Sequence, residues 1–129
     1  MGMRMNIWNR RSKYHAVRTK VDGISFASKR EACRYSELKL LGRAGEISDI
    51  KLQPRFTLQE GFRDREGKKH RPIVYVADFR YKEKDGNRVR VVIEDVKGMK
   101  TPVYEIKKKL FLSLLCHPSR KHWVFREVK

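Results

Sequence analysis

The chain has 129 residues, which is room for one domain with its own hydrophobic core and too little for two. Lys and Arg number 32 against 15 Asp and Glu, and the formal net charge of +17 is spread along the whole chain. Such an excess of positive charge favours a polyanionic partner, and nucleic acid is the first expectation. No apolar run is long enough to span a bilayer and no lipidation or secretion signal is recognisable, so we expect a cytoplasmic protein that does not act at a membrane.

Residues 1–20 predict a basic N-terminal arm that precedes a single domain over residues 21–129. The arm combines Arg and Lys with Trp8 and Tyr14 and contains no acid. Basic side chains suit phosphates and aromatic rings suit bases, which favours DNA binding, although a solvated chain end fits the same composition. The arm residues expected to contact DNA are Arg4, Arg10, Arg11 and Lys13.

A small β-ribbon and a helix follow the arm. Asp22-Gly23 is a hairpin turn signal between two short β-prone runs, Thr19–Val21 and Ile24–Phe26. Ser28 and Glu31 then have the S-x-x-E spacing of a capping box, which predicts the start of a helix. The side chains expected on the inward face of that helix are Ala32, Tyr35, Leu38 and Leu41. Glu31 is either a cap or a carboxylate aimed at the sheet, and the local sequence favours the cap.

Short strands and a loop are predicted on either side of the middle of the chain. Alternation over Leu52–Leu58 predicts a strand, and Pro54 indicates a sheet edge or a strand start. Residues 60–71 are predicted to form a charged loop. Alternation over Trp123–Val128 predicts the last strand.

The centre of the chain predicts an antiparallel hairpin. Two runs rich in Val, Ile and aromatic residues, Ile73–Phe79 and Val91–Lys97, flank a polar segment with turn-forming residues. The two-residue turn is either Asp85-Gly86 or Gly86-Asn87. The choice between them changes which residues pair across the hairpin.

Both strands of the hairpin carry acids where a buried strand should carry none. Side chains alternate along a strand, so Asp78, Asp95 and Lys97 share one face in either register. Glu94 points to the opposite face. With the later turn, Asp78 faces Asp95 directly.

Two carboxylates on one face of otherwise apolar strands are costly to bury without a partner. Oxygen ligands suit Mg²⁺ or Mn²⁺, and a metal held by two carboxylates keeps waters, one of which can become a nucleophile. Lys97 could orient or deprotonate that water, or neutralise charge on a phosphate. The alternative is a solvated strand face closed by an ion pair between Asp95 and Lys97. No small-molecule cofactor is expected.

A second helix is predicted to begin at Thr101-Pro102, an N-cap followed by proline at the first helical position. Its inward residues are expected to be Val103, Ile106, Leu110 and Leu114, with Tyr104, Phe111 and Leu115 widening the stripe. Cys33 and Cys116 lack metal-ligand spacing, so we expect both to be reduced thiols buried within the helices.

In this order of elements, and with acids at these places, the chain resembles the PD-(D/E)XK nuclease superfamily, whose core is αβββαβ. It is more closely similar to small phage-encoded proteins assigned to that superfamily. The motifs behind the likeness lie within residues 13–128 and are Phe26-x-Ser28-Lys29-x-Glu31-Ala32, Gly45-x-Ile47 with Gln53-Pro54-x-Phe56, Tyr75-x-Ala77-Asp78-Phe79, and Glu94-Asp95-x-Lys97-Gly98 before Thr101. The superfamily's proline before the Asp is absent, and Ala77 stands in its place.

The resemblance implies a restriction-endonuclease-like α/β (α+β) fold with a mixed central sheet flanked by helices. It implies that Glu31, Asp78 and Asp95 are metal-site carboxylates and that Lys97 is the catalytic lysine. The backbone carbonyl of Val96 is implied as a further ligand. Glu31 thereby moves from cap to ligand, and the two roles do not exclude each other.

The function expected from this likeness is Mg²⁺- or Mn²⁺-dependent hydrolysis of phosphodiester bonds in duplex or branched DNA. In size and charge the chain is similar to small Holliday-junction resolvases of DNA recombination, while restriction-like or transposase-like cutting stays open. Further DNA contacts are expected from Lys29, Lys100, Lys107 and Lys108. The alternatives are a non-catalytic nucleic-acid-binding module and a basic adaptor for an acidic protein. A homodimer is left open.

Overall fold

The computed structural model describes residues 18–129, and the predicted DNA contacts of the arm lie outside this range. The described chain contains helices α1 (Lys29–Arg43) and α2 (Pro102–Leu115) and a short 3-10 helix at Pro118–Arg120. The strands are β1 (Thr19–Val21), β2 (Ile24–Phe26), β3 (Ile47–Leu52), β4 (Arg55–Gln59), β5 (Phe62–Arg63), β6 (Lys69–His70), β7 (Ile73–Val76), β8 (Phe79–Asp85), β9 (Arg88–Val96) and β10 (Trp123–Val128). The mixed α/β class is confirmed, and so is the small ribbon, β1–β2.

The central sheet has the strand order β10-β9-β8-β3. Strand β8 is antiparallel to both of its neighbours, whereas β10 is parallel to β9. A parallel pair needs a long crossover connection, and the segment containing α2 provides it between β9 and β10. The sheet is therefore mixed, as predicted.

Strands β4 and β7 continue from β3 and β8 beyond a break and pair with each other. The break lies at Gln53-Pro54 and at Ala77-Asp78, where the Gln53 N–H donates to the Asp78 carbonyl at 3.0 Å. The Ala77 N–H donates in turn to the Pro54 carbonyl at 3.1 Å. The sequence predicted one continuous strand through Asp78, but the structure places this residue at the junction of two strands.

The helices cover opposite faces of the sheet. Ala32, Tyr35 and Leu38 of α1 pack with Val92 and Val96 of β9, on the face where the sequence predicted them. On the other face, α2 packs against Ile93 and against strands β4 and β7. Alternation along β9 thus divides the core into two clusters.

The predicted inward face of α2 is partly wrong. Val103 and Ile106 are each 61% exposed, and Leu110 is 40% exposed. The buried residues are instead Tyr104 and Phe111, one heptad apart. Aromatic rings bury more apolar area than Val or Ile, so the helix turns this pair toward the sheet.

Two further predictions need correction. Residues 60–71 are not simply a loop, because β5 and β6 pair there as a short antiparallel ribbon. Cys33 and Cys116 are free thiols as expected, but both are exposed. Cys33 lies on the outer side of α1, and Cys116 caps the end of α2. Neither described helix is long and apolar enough to cross a bilayer.

Candidate functional site

The hairpin register brings Asp78 and Asp95 to the same end of the hairpin. Asp85 pairs with Arg88, which makes Gly86-Asn87 the turn, and Phe79 pairs with Glu94. Asp78 and Asp95 follow this last pair of the ladder, where the Asp78 N–H donates to the Glu94 carbonyl at 3.1 Å and the pairing becomes irregular. The later of the two predicted turns is therefore the one observed.

Glu94 lies on the α1 face, as alternation predicted, and is fully buried. Arg34 binds it with two hydrogen bonds, Nε to Oε2 at 2.7 Å and Nη2 to Oε1 at 2.9 Å. The Tyr81 hydroxyl donates to Oε1 at 2.7 Å. A buried carboxylate held by a guanidinium fork and a hydroxyl has satisfied acceptors and a structural role.

Asp95 is equally buried but faces the α2 side, where its acceptors are incompletely satisfied. The Tyr75 hydroxyl donates to Asp95 Oδ2. Lys97 Nζ lies 3.1 Å from Oδ1, yet Oδ1 accepts no hydrogen bond of good geometry within residues 18–129. A buried carboxylate oxygen paired with a charge but lacking a directed donor has room for a further ligand.

Asp78 connects the other two carboxylates of the predicted site. Its Oδ2 accepts the Val96 N–H at 2.7 Å, and its carboxyl group lies close enough to those of Glu31 and Asp95 to interact with both. Burial, together with the contact to Glu31 and the negative charge of Asp95, raises the pKa of Asp78 well above its ordinary range. The three carboxyl groups therefore share one site at the end of the central hairpin.

Glu31 lies in the capped first turn of α1, and its side chain is directed toward the sheet. Ser28 is the N-cap of α1, and its Oγ accepts the Glu31 N–H at 3.2 Å. The reciprocal bond of a capping box, from the Ser28 N–H to the Glu31 side chain, is absent from the described hydrogen bonds. The Glu31 carboxyl group instead points to Asp78. The cap geometry fixes the start of α1, and the first turn aims the acid at the sheet.

Lys97 is held beside Asp95 by an aromatic ring. Its Nζ lies 4.5 Å from the centroid of the Tyr104 ring, and the Tyr104 hydroxyl donates to Glu127 Oε2 at 2.5 Å. An ammonium group over a ring face gains cation–π stabilisation, which orients the lysine. Lys97 is thus a fixed cation at the carboxylate site.

Two of the lysines predicted to bind DNA are engaged within the protein. Lys100 Nζ lies 3.3 Å and Lys108 Nζ 3.0 Å from Glu127 Oε1. Lys29 is exposed, and Lys107 is half-buried. Neither Lys29 nor Lys107 has an ion-pair partner in the part of the chain that the structure describes.

A basic cavity of about 800 Å³ opens next to Lys97. It is lined by Arg30, Lys97, Gly98 and Lys100, among others. A second cavity of about 420 Å³ lies along α1, where Lys29, Arg30 and Cys33 line it. The Arg30 guanidinium lies against Gly98 and has no ion pair within residues 18–129. Cations of α1 and of the segment after β9 therefore lie around the cavity next to Lys97.

The donor set suits a hard divalent cation. Glu31, Asp78 and Asp95 offer carboxylate oxygens, the ligand type that Mg²⁺ and Mn²⁺ prefer, and Asp95 Oδ1 is a buried oxygen without a directed donor. With the side chains as they stand, no group of three or more His, Cys, Asp or Glu within residues 18–129 is arranged to hold an ion. Asp78 Oδ2 accepts the Val96 N–H, and the three carboxyl groups do not converge on one point in this arrangement.

The sequence did not point to three residues that the structure brings to this site. Tyr75 and Tyr104 hold Asp95 and Lys97, and Arg30 borders the cavity. Tyr75 begins the motif that contains Asp78, but nothing in the sequence assigned it a role of its own at this site. Tyr104 and Arg30 reach the site only through the packing of the two helices.

Comparison with known protein families assigns the chain to one family. The family described as "Protein of unknown function (DUF1064)" matches residues 11–129, and the chain belongs to it. No curated protein and no solved structure is a significant match to the chain.

Proposed function

We propose that this protein is a metal-dependent DNA endonuclease. The observation that carries the proposal is the meeting of Glu31, Asp78 and Asp95 at the end of one hairpin, with Lys97 beside them. Acids of like charge would repel one another there, and the raised pKa of Asp78 reflects first its burial and then its interactions with Glu31 and Asp95. Such an arrangement costs stability, which a role in binding a cation explains.

The order of elements supports the same proposal. The positions of the acids agree with the αβββαβ pattern of the PD-(D/E)XK nucleases. Glu31 lies on the first helix and Asp78 at the start of the second core strand. Asp95 lies on the third core strand, and Lys97 follows it. The four-stranded mixed sheet with a helix on each face is the architecture that this pattern implies. The restriction-endonuclease-like core is thus part of the proposal.

The residues have distinct roles in the proposed reaction. Glu31, Asp78 and Asp95 would hold Mg²⁺ or Mn²⁺, with the Val96 carbonyl as a further ligand. A bound ion of this kind supplies a Lewis acid for the phosphate and lowers the pKa of a water molecule. Lys97 provides a fixed positive charge that stabilises the phosphate as negative charge builds on its oxygens. Tyr75 and Tyr104 keep Asp95 and Lys97 in place.

The substrate in this proposal is DNA, held by the positive charge that surrounds the site. The net charge of +17 favours binding to DNA whatever the DNA sequence. Arg30 borders the cavity next to Lys97. Branched DNA is the preferred substrate class within the proposal, by analogy in size and charge with small junction resolvases. A homodimer would allow paired cuts.

The test is a cleavage assay on labelled single-stranded, duplex, flap and four-way-junction DNA with Mg²⁺, Mn²⁺, Ca²⁺ or EDTA. We expect product with Mg²⁺ or Mn²⁺ only, and none from the Asp95→Asn variant. Binding of all four substrates without product in any metal would contradict the proposal and favour a non-catalytic nucleic-acid-binding module, in which the acids are structural pairs.

A further inference from the structure

The ribbon formed by β5 and β6 is a separate feature with no part in the core. Phe62 pairs with His70 and Arg63 with Lys69, and neither strand packs extensively on another element of the described chain. Phe62 is 46% exposed, although it is a large apolar side chain. A ribbon that packs so little on the rest of the domain is not explained by the stability of the core.

The ribbon is held together by hydrogen bonds of its own. Asp64 Oδ1 accepts the N–H groups of Glu66 at 2.9 Å and Lys68 at 3.0 Å, and Asp64 Oδ2 lies 2.9 Å from His70 Nε2. Gly67 has a φ of +85°, which favours glycine at this turn. One aspartate thus ties the turn to the strand, so the ribbon keeps its shape without a partner.

The start of the β5–β6 ribbon requires a glycine at residue 61. A Cβ added at Gly61 would lie 3.1 Å from the His70 carbonyl oxygen and 3.3 Å from Pro72 Cδ. The backbone of Gly61 therefore passes close to the chain that leaves β6. This contact sets the direction in which the ribbon leaves the sheet.

The two faces of the ribbon differ in chemistry. Paired residues of antiparallel strands share a face, so Phe62 and His70 lie on one face and Arg63 and Lys69 on the other. The Phe62 and His70 rings stack with centroids 4.8 Å apart. The turn adds Arg65 and Lys68, and Arg71 follows β6. Arg65, Lys68, Lys69 and Arg71 have no ion-pair partner anywhere in residues 18–129.

The ribbon leaves the sheet at the end where the carboxylates lie. Strand β7 runs from the ribbon into Asp78, whereas the Gly86-Asn87 turn lies at the far end of β8. His70 and Asp78 are eight residues apart in the chain, which spans at most about 28 Å. This is less than one turn of B-DNA, about 34 Å. A duplex at the carboxylate site therefore lies within reach of the ribbon.

We propose that the β5–β6 ribbon is a DNA-binding arm that enters the major groove of the duplex beside the site; this inference rests on the proposed function. A two-stranded ribbon fits the major groove, about 12 Å wide. Arg65 and Lys68 at the turn then contact phosphates, while Phe62 makes an apolar contact with base edges. Because the ribbon is already ordered, little conformational entropy is lost on binding.

The test compares two variants with the same change of charge. Arg65→Ala/Lys68→Ala removes two cations at the ribbon turn, and Lys84→Ala/Arg88→Ala removes two at the opposite end of the hairpin. The dissociation constant for a short duplex is measured over a salt series with Ca²⁺ by fluorescence anisotropy. We expect the log–log salt slope to fall by roughly 1.8 in the ribbon variant, about 0.9 for each phosphate contact, and to change little in the control.

Phe62→Ala provides an independent measurement. It should weaken duplex binding without changing the salt slope, because the lost contact is apolar, and single-stranded DNA binding should change little. Melting curves check that each variant is folded, and Arg65→Gln/Lys68→Gln replaces the alanine pair if that pair unfolds. Equal slopes for the ribbon and control variants would overturn the inference, as would equal losses on single-stranded and duplex DNA.

The outcomes separate this inference from the proposed endonuclease. If the wild-type protein cleaves no substrate but the ribbon variant loses salt slope on duplex DNA, the ribbon is a DNA-binding arm and the endonuclease proposal fails. If the protein cleaves DNA and the ribbon variant matches its control, the endonuclease stands and the arm is excluded.

Discussion

Arg30 and Gly98 are in direct contact, and the contact depends on the missing side chain of the glycine. A Cβ at residue 98 would lie 3.1 Å from Arg30 Nη1 and 3.4 Å from Cζ. Gly98 follows Lys97 directly, so it lets a guanidinium approach the end of the hairpin where Asp78 and Asp95 lie. Arg30 is in the first turn of α1, where a positive side chain opposes the helix dipole. Its position is therefore better explained by an anionic ligand than by helix stability.

Gly98→Ala should displace Arg30 without unfolding the domain. The added methyl group meets a flexible side chain, so the melting temperature should stay close to that of the wild type. If Arg30 contacts a phosphate, the log–log salt slope of DNA binding should fall by about 0.9. Salt titrations of binding and a melting curve measure both effects.

The matched control is Gly42→Ala on α1, where the new Cβ would be at an ordinary contact distance of 3.5 Å from Ile50 Cδ1. Its DNA binding should equal that of the wild type. Adding Gly98→Ala to Arg30→Ala should cause no further loss of affinity, because both act through one guanidinium. Additive losses would show that Gly98 acts independently of Arg30.

Asp95→Asn and Glu94→Gln should separate activity from stability. Asp95→Asn should reduce cleavage by orders of magnitude while DNA binding is unchanged or tighter, because a negative charge near phosphate is removed. Glu94→Gln breaks the buried pair with Arg34 and should lower the free energy of unfolding by about 3 kcal/mol. Below its lowered melting temperature it should still cleave. Cleavage rates and urea unfolding of both variants provide the comparison, and the reverse pattern would contradict the assignment of faces.

The hairpin shows which features of the site can be predicted from the sequence alone. Strand alternation was enough to separate Asp95 from Glu94, because a period of two does not depend on the rest of the fold. Whether Asp78 faced Asp95 depended on the turn, and the sequence left two turns open. Where one local rule decides the geometry, the prediction succeeded.

The packing between elements that are distant in the chain could not be predicted from the sequence. The rotation of α2 depends on which residues fit against β4 and β7, so the apolar pattern alone misplaced Val103 and Ile106. The contact of Arg30 with Gly98 joins residues 68 positions apart, and nothing local to either indicates it. The exposure of Cys33 follows from the same packing, since α1 turns Ala32 and Tyr35 inward.

Glu31→Gln tests whether this residue is more than a cap. The Ser28 hydroxyl already accepts the Glu31 N–H, and this bond does not involve the side chain that is changed. Without metal, the melting temperature should be unchanged or higher, because repulsion with Asp78 is relieved. With metal, cleavage should fall by orders of magnitude. Wild-type cleavage at every Mg²⁺ concentration would remove Glu31 from the metal site.

Acid should destabilise the protein partly through Glu83. Its bonds to Arg126, opposed by burial, and its bonds to Arg90 lower the pKa of Glu83 from 4.5 to about 2. A lowered pKa in the folded state means that the stabilisation is complete above pH 4.5 and is lost as the pH falls toward 2. Because solvent screens this partly exposed carboxyl group, the amount lost is on the order of 1 kcal/mol.

Thermal unfolding at a series of pH values checks this expectation. Glu83→Gln should be less stable than the wild type at neutral pH, and the difference should shrink as the pH falls below 4.5. Glu127, whose pKa is also lowered to about 2, is present in both proteins and does not affect the difference. A constant difference across the acid range would show that the Glu83 carboxylate charge does not contribute.

The exposed thiol of Cys33 gives the natural chain a chemical handle. Cys33 lines the cavity along α1 together with Arg30, and Cys116 lies at the end of the other helix. After Cys116→Ser, a maleimide fluorophore would attach at residue 33 and report on occupancy of the neighbouring cleft. The same exposure makes both thiols open to air oxidation, and a disulfide between two molecules would migrate as a dimer. Sizing of this protein therefore requires a reducing agent before any dimer is attributed to non-covalent association.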